Sequence, residues 1–440
     1  MPFDPEPIFP QELRDAWPAL SRDERVESFK LVPHATAEDF FGSLSAAEQL
    51  ELILAMKQHE RRTWMKLLAP DDAADLIQEA PQEERQALLA LVDDPTRREI
   101  QALMAYAEDD AGGLMNPRFA RVRPEMSTDE AIAYLRKQTR EKVETVYYAY
   151  VLDGQQKLQG VVSLRQLIQA RPGVRVDEVM NTDLVTVQEE TDQEAVSRLF
   201  SEHGLMAIPV VDGEGRMKGI VTVDDIVQVV QEEATEDIQK VGGMEALEAP
   251  YFETGLGDML RKRAGWLLVL FVGQLFTTAA MGHFEDAIDK AVVLGVLVPL
   301  IISSGGNSGS QAATLIVRAM ALGEVRLRDW SKVVFKELRA GLALGGIIGV
   351  MGLLRIMGWE FIFGEYGVIT FRLGMTVGLS LLAVVLWGTL SGSMLPFVLR
   401  RIGADPASAS APFVSTVVDV SGVVIYFTVA YAFLDDVLRG

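Results

Sequence analysis

An acidic residue lies in the middle of a long apolar run near the end of the chain. Asp419 lies in PFVSTVVDVSGVVIYFTVAY, with no charged residue within thirteen positions on either side. A carboxylate at the centre of a spanning helix costs about 2.5–3.5 kcal/mol even on the mildest scale, so such acids usually mark ion or proton paths. The alternative is a hydrogen-bonded or protonated Asp that only packs. We predict that two copies of Asp419 meet on a dimer axis, where a cation relieves their repulsion.

A run of nine small or polar residues interrupts another apolar stretch. Residues 303–311 have the sequence SSGGNSGSQ, between the helix-like stretches 299–302 and 315–317. Nine consecutive positions cover every face of a helix, and polar or unwound backbone at membrane depth is tolerated only beside protein or water-filled space. We therefore predict a break in the helix here, at which backbone carbonyls and slim side chains face a polar path.

Acidic pairs recur in the part of the chain that precedes the apolar runs. Singly, each pair is typical of a helix start or a solvated face. Together they give the fold strong self-repulsion, which divalent cations relieve through oxygen ligands. We predict that these acids form a cation sensor. The candidate ligands are Asp71, Asp72, Asp93, Asp94, Asp224, Asp225, Glu232, Glu233, Glu236 and Asp237.

Charge and hydropathy divide the chain into two parts. Residues 1–260 contain 26 Lys and Arg against 50 Asp and Glu, whereas residues 261–440 contain 15 against 12. The second part has five apolar segments, each near or above the roughly 20 residues that cross a bilayer. These segments span 264–282, 291–319, 333–357, 372–399 and 411–434. We expect an acidic water-soluble part followed by a membrane domain.

Basic residues predict the orientation of the segments, because Lys and Arg favour the cytoplasmic ends of spanning helices. They lie before the first segment, between the second and third, and after the fourth. They are Arg261, Lys262, Arg263, Arg326, Arg328, Lys332, Lys336, Arg400 and Arg401. The first residues, MPFDPEPIFP, lack the basic and apolar regions of a signal peptide. The prediction is a cytoplasmic N-terminus and a C-terminus outside.

Two stretches of the soluble part repeat each other. Residues 114–136 align with 179–200, and residues 147–169 align with 206–228. In each copy a β-rich run passes through an Asp-Gly turn into a second run and then a helix. The tandem resembles a pair of CBS modules, which are regulatory rather than catalytic.

Such modules often bind adenosine nucleotides, ATP among them, through a Ser/Thr-x-x-Asp sequence. Thr222 and Asp225 have this spacing in the second copy, whereas the first copy has Ser163 followed by Gln166. We expect at most one nucleotide site per chain. The alternative for Asp225 is a cap on the helix that follows.

Catalytic chemistry is not indicated by the composition. The chain has no cysteine, its four histidines are scattered, and neither HExxH nor GxxxxGK[ST] occurs. Disulfides, thiolate metal sites and a phosphate-binding loop are therefore excluded, and we expect no enzyme activity.

The predicted fold is multidomain and homodimeric. Its parts are an all-α acidic domain at 1–110, tandem α+β modules at about 111–172 and 173–237, a connecting helix at 238–262 and a five-helix transmembrane domain at 263–440.

The order of these parts resembles the MgtE family of magnesium channels over essentially the whole chain. The most specific pieces are EDDAGGLMNP, TVDDIVQVVQEEATEDIQKVGG, PLIISSGGNSGSQAATLIVRAMALGEV and DPASASAPFVSTVVDVSGVVIYF. The resemblance implies a dimeric pore in the cytoplasmic (inner) membrane, with hydrated Mg²⁺ held at Asp419. The implied lining positions are Gly305, Gly306, Asn307, Ala411 and Ser415. Ala411 departs from the family, in which we expect an Asn before the Pro, so the family's gate polarity and gating behaviour are not carried over to this end of the helix.

The acidic part is then expected to close the pore when internal Mg²⁺ is high. Two alternatives fit the same residues. One is a transporter in which Asp419 carries a proton coupled to metal movement. The other is a membrane-anchored metal or nucleotide sensor that transports nothing, although an anchor needs neither Asp419 nor the polar run at 303–311. No nucleic-acid partner is expected.

Overall fold

The computed structural model describes residues 8–141, 143–247, 251, 254–364 and 366–439. The chain forms two compact units, Met1–Val230 and Gln231–Gly440. The boundary between them falls inside the second predicted module, which was expected to end at 237.

The first unit begins with eight short helices, as the sequence predicts. They are α1 (Pro10–Ala16), α2 (Arg22–Phe29), α3 (His34–Gly42), α4 (Ala46–Ala55), α5 (Gln58–Met65), α6 (Pro70–Glu79), α7 (Gln82–Leu89) and α8 (Asp94–Leu103). Local sequence signals set their starts. The side chain of Ser45 accepts a hydrogen bond from the Glu48 backbone N–H before α4, and Pro70 occupies the first turn of α6.

Aromatic and aliphatic side chains fill the core of these helices. The rings of Phe29 and Phe41 lie 5.2 and 4.8 Å from the ring of Trp64. Leu76 and Ile77 of α6 are fully buried in the same cluster. Burial of this apolar face holds α6 in place, and α6 carries the acidic pair Asp71 and Asp72 in its first turn.

The rest of the first unit contains two copies of one α+β motif. The helices are α9 (Ala111–Leu114), α10 (Thr128–Gln138), α11 (Leu164–Gln169), α12 (Val176–Val179) and α13 (Gln193–His203). The strands are β1 (Arg121–Val122), β2 (Tyr148–Leu152), β3 (Leu158–Ser163), β4 (Val187–Gln188), β5 (Ala207–Val211) and β6 (Met217–Thr222). Each sheet has three strands, ordered β1-β2-β3 and β4-β5-β6, with a parallel and then an antiparallel pair.

The register confirms the internal repeat. Val151 pairs with Gly160 in the first sheet, and Val210 pairs with Gly219 in the second. After β6 the chain enters α14 (Val223–Val241), which begins in the first unit and ends in the second. The acidic pair Asp224 and Asp225 therefore lies where the second sheet meets this helix.

Among the residues that the structure describes, the second unit has five helices long and apolar enough to cross a membrane, each with a mean hydropathy of 1.6 to 1.9 over 18 consecutive residues. They are α15 (Leu256–His283), α17 (Val292–Ala321), α18 (Trp330–Phe363), α19 (Thr370–Arg401) and α20 (Ala411–Arg439), with the short α16 (Glu285–Lys290) between the first two. The prediction of five apolar spans is confirmed. Helix α19 packs against α17, α18 and α20, whereas α15 contacts mainly α20 and buries none of its residues.

The segment between the soluble and membrane parts differs from its prediction. A single connecting helix was expected over 238–262, but α14 ends at Val241, residues 242–247 are not helical, and α15 starts at Leu256. Gly242 and Gly243 explain the end of α14, because Gly243 has φ of +78°, a conformation that favours glycine. Residues 248–250, 252 and 253 lie outside the described part.

Candidate functional site

The small-residue run at 303–311 lies within an unbroken helix. Helix α17 continues from Val292 to Ala321, so the predicted break is wrong. Its glycines serve close packing instead: a Cβ added at Gly309 would lie 2.9 Å from the backbone oxygen of Gly388 on α19. The backbone carbonyls stay in the helix ladder, and only side chains can face a polar path.

The two faces of α17 differ in polarity. Gly305 and Gly306 are buried against α19 and α20, which corrects their predicted place on a pore-lining face. Ser303, Asn307 and Gln311 are exposed at four-residue spacing on the other face. This spacing aligns them along one side of a helix. We call these three residues the polar stripe; Asn307 is the predicted lining residue that belongs to it.

Helices α17 and α20 are joined by hydroxyl groups near the start of α20. The Oγ of Ser310 donates to the backbone oxygen of Ala411 at 3.0 Å and lies 3.2 Å from the Oγ of Ser415. Both Ala411 and Ser415 are half-buried. The first turn of α20 is thereby fixed against the small-residue region of α17.

The side chain of Asp419 accepts a hydrogen bond from a residue that the sequence reasoning missed. The Nε2 of Gln274 on α15 donates to Oδ2 of Asp419 at 2.9 Å. Within the described residues, no Lys or Arg forms an ion pair with Asp419. The sequence signal that could have identified Gln274 is its position as the single amide in the largely apolar run GWLLVLFVGQLFTTAAM.

A second cluster joins the end of α14 to the start of α20. Lys240 donates to Asp405 at 2.6 Å and also pairs with Glu236. The indole Nε1 of Trp266 donates to the Oγ of Ser410 at 3.0 Å. The end of α14 and the third turn of α15 are therefore both bonded to the segment that leads into α20.

In the first unit, the structure brings together two acidic pairs that are far apart in sequence. Burial, followed by the charges of Asp72, Asp225 and Glu144, raises the pKa of Asp71 well above its usual range. Burial and the charges of Asp224 and Asp72 raise the pKa of Asp225 to about 7, although two hydrogen bonds from Thr222 oppose the change. The predicted proximity of Asp71 and Asp72 to Asp224 and Asp225 is therefore present.

Two further residues complete this acidic cluster, and neither was predicted. Asn116 is fully buried, and its Nδ2 donates to Asp71 at 3.1 Å and to Glu144 at 2.7 Å. Burial and the charges of Asp72 and Asp224 raise the pKa of Glu144. Sequence patterns give no hint of Glu144, because it precedes β2 in a segment with no regular spacing.

The other predicted sensor acids have different surroundings. Asp93 caps α8 by accepting from the Thr96 backbone N–H at 3.0 Å, which lowers its pKa, and Asp94 pairs with Arg97. In this structure both residues therefore stabilise a helix start. Four acids lie on the part of α14 in the second unit, namely Glu232, Glu233, Glu236 and Asp237. Among the described residues, no three acidic or histidine side chains are placed to hold a metal ion directly.

The tandem α+β modules contain a cavity of about 850 Å³. Tyr147, Tyr148 and Arg165 line it from the first copy, together with Ser163 and Gln166. Leu205, Met206, Ala207 and Pro209 line it from the second copy, whereas neither Thr222 nor Asp225 is among its lining residues. The cavity therefore lies between the two copies and does not include the Ser/Thr-x-x-Asp sequence. Asp225 accepts a hydrogen bond from the Thr222 backbone N–H at the start of α14, which is the capping role given above as the alternative to nucleotide binding. It also belongs to the acidic cluster.

One lining side chain has an unmet polar group. Tyr150 is 1% exposed, and its hydroxyl has no hydrogen-bond partner among the described residues. A buried hydroxyl without a partner costs about 1–3 kcal/mol, which makes this side chain a candidate contact for a ligand in the cavity. Burial raises the pKa of Tyr150, which keeps this hydroxyl a donor.

Comparison with known proteins gives a family match for the helical domain, for both α+β modules and for most of the membrane domain. Family models match residues 8–109 as the MgtE intracellular N domain, 111–173 and 176–232 as CBS domains, and 298–429 as the MgtE divalent cation transporter. The magnesium transporter MgtE of Thermus thermophilus is 40% identical over 98% of this chain and 94% of its own length. The corresponding protein of Bacillus subtilis is 31% identical over 90% and 85%.

A crystal structure of the cytosolic domain of the Mg²⁺ channel MgtE in complex with ATP is also similar, with 42% identity, a TM-score of 0.47, and coverage of 50% of this chain and 90% of that one. The full-length matches show a multi-pass membrane transporter of divalent cations and not an enzyme, as predicted. The chain belongs to the MgtE family of magnesium transporters.

Proposed function

We propose that the chain is a magnesium-selective channel in which Asp419 holds the permeating ion. The supporting observation is an uncompensated carboxylate at membrane depth, whose partner within the protomer is a neutral amide. Magnesium releases its waters reluctantly, so a carboxylate acting on a hydrated ion suits it better than a tight cage. At about 2.3 kcal/mol per charge per 100 mV, a divalent ion gains roughly 4.6 kcal/mol on entering a negative interior.

We propose that the pore forms between two copies of the chain. The polar stripe of α17 supports this, because Ser303, Asn307 and Gln311 are exposed in the protomer at the depth of the membrane. Contact between lipid and these polar side chains is costly, whereas a water-filled path between two protomers accommodates them. The two Asp419 carboxylates then share one ion.

The test is Mg²⁺ uptake into proteoliposomes under an imposed negative interior voltage, without a pH gradient. Asp419→Asn preserves the size of the side chain and removes the charge, so uptake should fall at least tenfold. Wild-type uptake by a folded Asp419→Asn dimer excludes the pore assignment. Uptake that requires a pH gradient supports the proton-coupled alternative, and no uptake by the wild type supports the non-transporting sensor.

We propose that the acidic cluster of the first unit senses internal Mg²⁺ and closes the pore. Burial and repulsion from neighbouring carboxylates raise the pKa values of Asp71, Asp72, Glu144 and Asp225, so ionising all four together at neutral pH costs free energy. Two unit charges 4 Å apart at an effective dielectric of 20 repel by about 4 kcal/mol, which exceeds the few kcal/mol that separate two conformations. A hydrated divalent cation relieves that repulsion without direct ligation by three side chains.

Protease protection across a magnesium titration tests the sensor. We expect cleavage of the purified full-length protein to decrease between micromolar and tens of millimolar Mg²⁺. Joint substitution of Asp71, Asp72 and Asp225 by Asn should remove this protection, whereas Asp93→Asn, at a helix cap, should preserve it. Unchanged cleavage of the wild type over the whole range contradicts the sensor.

We propose that the cavity beside Tyr150 binds an adenosine nucleotide such as ATP. Its size suits a drug-sized ligand, the tyrosines offer stacking surfaces for a base, and Arg165 offers charge for a phosphate. Calorimetric titration with ATP should show binding that Tyr150→Phe weakens and Thr222→Val preserves. Loss of binding only in Thr222→Val would place the nucleotide at the second copy instead.

We propose that the protein lies in the cytoplasmic membrane with its N-terminus inside. The basic residues around α15, α18 and α19 support this orientation. Because the chain has no cysteine, single-cysteine variants report topology directly. Glu285→Cys should react with an impermeant maleimide added to whole cells, and Arg328→Cys should not; the reverse result inverts the orientation.

A further inference from the structure

We infer that Gln274 is a positioning residue that sets the selectivity of Asp419 for Mg²⁺ over Ca²⁺. The inference rests on the proposed pore and concerns the contact between α15 and α20. Its basis is the 2.9 Å hydrogen bond from Gln274 Nε2 to Asp419 Oδ2.

The chemical type of the partner matters first. A Lys or Arg at this place would cancel the charge of Asp419 and remove the attraction for a cation. A neutral amide stabilises the carboxylate by a charge-assisted hydrogen bond and preserves its full negative charge. Gln274 therefore allows an ionised acid at membrane depth to stay attractive to a divalent ion.

The geometry of the bond carries the selectivity. The hydrogen bond from Gln274 occupies one lone pair of Oδ2 and holds the carboxylate in one orientation, so Oδ1 is the more accessible oxygen for an ion. Calcium takes six to eight oxygen ligands and often binds a carboxylate through both oxygens, whereas magnesium retains several waters and binds through one or two carboxylates. A carboxylate whose Oδ2 is held by an amide thus disfavours Ca²⁺, which more often uses both oxygens.

The place of Gln274 in α15 supports a specific role. Helix α15 buries none of its residues in the protomer, so Gln274 is not part of an apolar core. Thr278, one turn further along the same helix, donates from its Oγ1 to the backbone oxygen of Gln274 at 3.2 Å, and within the described part of the chain its side chain forms no hydrogen bond to Asp419. Thr278 is therefore a matched position that is polar, exposed and without contact to Asp419.

The test measures Mg²⁺ and Ca²⁺ uptake separately in proteoliposomes containing the full-length protein at fixed voltage. Gln274→Leu removes the donor at similar volume, and we expect the Ca²⁺ to Mg²⁺ uptake ratio to rise roughly tenfold, the effect of one charge-assisted hydrogen bond. The Mg²⁺ concentration at half-maximal uptake should rise as well. Thr278→Val should match the wild type in both measurements.

Gln274→Glu keeps the shape of the side chain and replaces the donor with an acceptor, so its ratio should also rise. This variant decides the question if Gln274→Leu does not fold. Unchanged ratios in the folded Gln274 variants overturn the inference. Asp419→Asn in the same assay separates the two proposals: if it abolishes uptake while Gln274→Leu leaves the ratio unchanged, the pore assignment survives and only the role of Gln274 fails.

Discussion

Lys240 and Asp405 form an ion pair of 2.6 Å across 165 positions of sequence. Lys240 lies at the end of α14, and Asp405 caps the 3-10 turn Pro406–Ser408 that leads into α20, accepting from the Ala407 backbone N–H at 2.8 Å. The pair therefore connects the helix that begins beside the acidic cluster to the helix that carries Asp419.

Under the proposed gating, breaking this pair should weaken closure of the pore. Lys240→Met removes the charge and retains the length of the side chain. Partly exposed ion pairs contribute up to about 1 kcal/mol, so we expect a severalfold rise in Mg²⁺ uptake at high internal Mg²⁺. The measurement is uptake at saturating internal Mg²⁺. Asp405→Asn should give a similar rise, and the double variant should add little to either; additive effects would show that the two residues act separately.

The close contact of α17 with α19 predicts a strong effect of one methyl group. A Cβ added at Gly388 would collide with the backbone oxygen of Gly305. Gly388→Ala should destabilise the membrane unit by about 1–3 kcal/mol, because backbone cannot move aside as a flexible side chain can. The apparent melting temperature in detergent reports this loss. Gly346→Ala, where a Cβ would meet nothing within 4 Å, is the control and should not lower it.

Asn116 should be important for the stability of the acidic cluster. Asn116→Leu has similar volume but leaves Asp71 and Glu144 without their shared donor. We expect a loss of about 2–3 kcal/mol in Mg²⁺-free buffer, since hydrogen bonds to charged groups contribute about 1.5–3 kcal/mol. Thermal unfolding of the soluble part within the full chain measures it. A variant as stable as the wild type would mean that water replaces the amide at no cost.

Stability of the first unit should depend on pH through Asp225. Its folded pKa of about 7 lies above the ordinary value of 3.8, so the folded state binds more protons than the unfolded state between those values. Stability without Mg²⁺ should therefore fall as pH rises from about 4 to about 7 and then level off. Thermal unfolding in chelator across this range is the measurement. Asp225→Asn should flatten the profile, and an equally steep profile in that variant would assign the dependence to another group.

Several features of this protein were determined by local sequence. Five apolar runs of sufficient length give five long helices because a helix satisfies its backbone hydrogen bonds within one segment, as lipid requires. The repeat gives two sheets of identical order because hydrophobic alternation and Asp-Gly turns act over a few residues. The sequence alone singled out Asp419 as a candidate pore residue, because a charge surrounded by apolar residues is costly wherever the helix lies.

Other features were decided by tertiary structure. The run at 303–311 remains helical because Gly388 and Gly392 of α19 approach it closely, and this contact is invisible in the order of residues. Asp93 and Asp71 have similar sequence surroundings, yet one caps a helix in solvent and the other is buried beside Asn116 and Glu144. The partnership of Gln274 with Asp419 spans 145 positions. Local sequence patterns determine which face of its own helix a residue occupies. Which residue of another helix it contacts depends on how helices that are distant in sequence pack together.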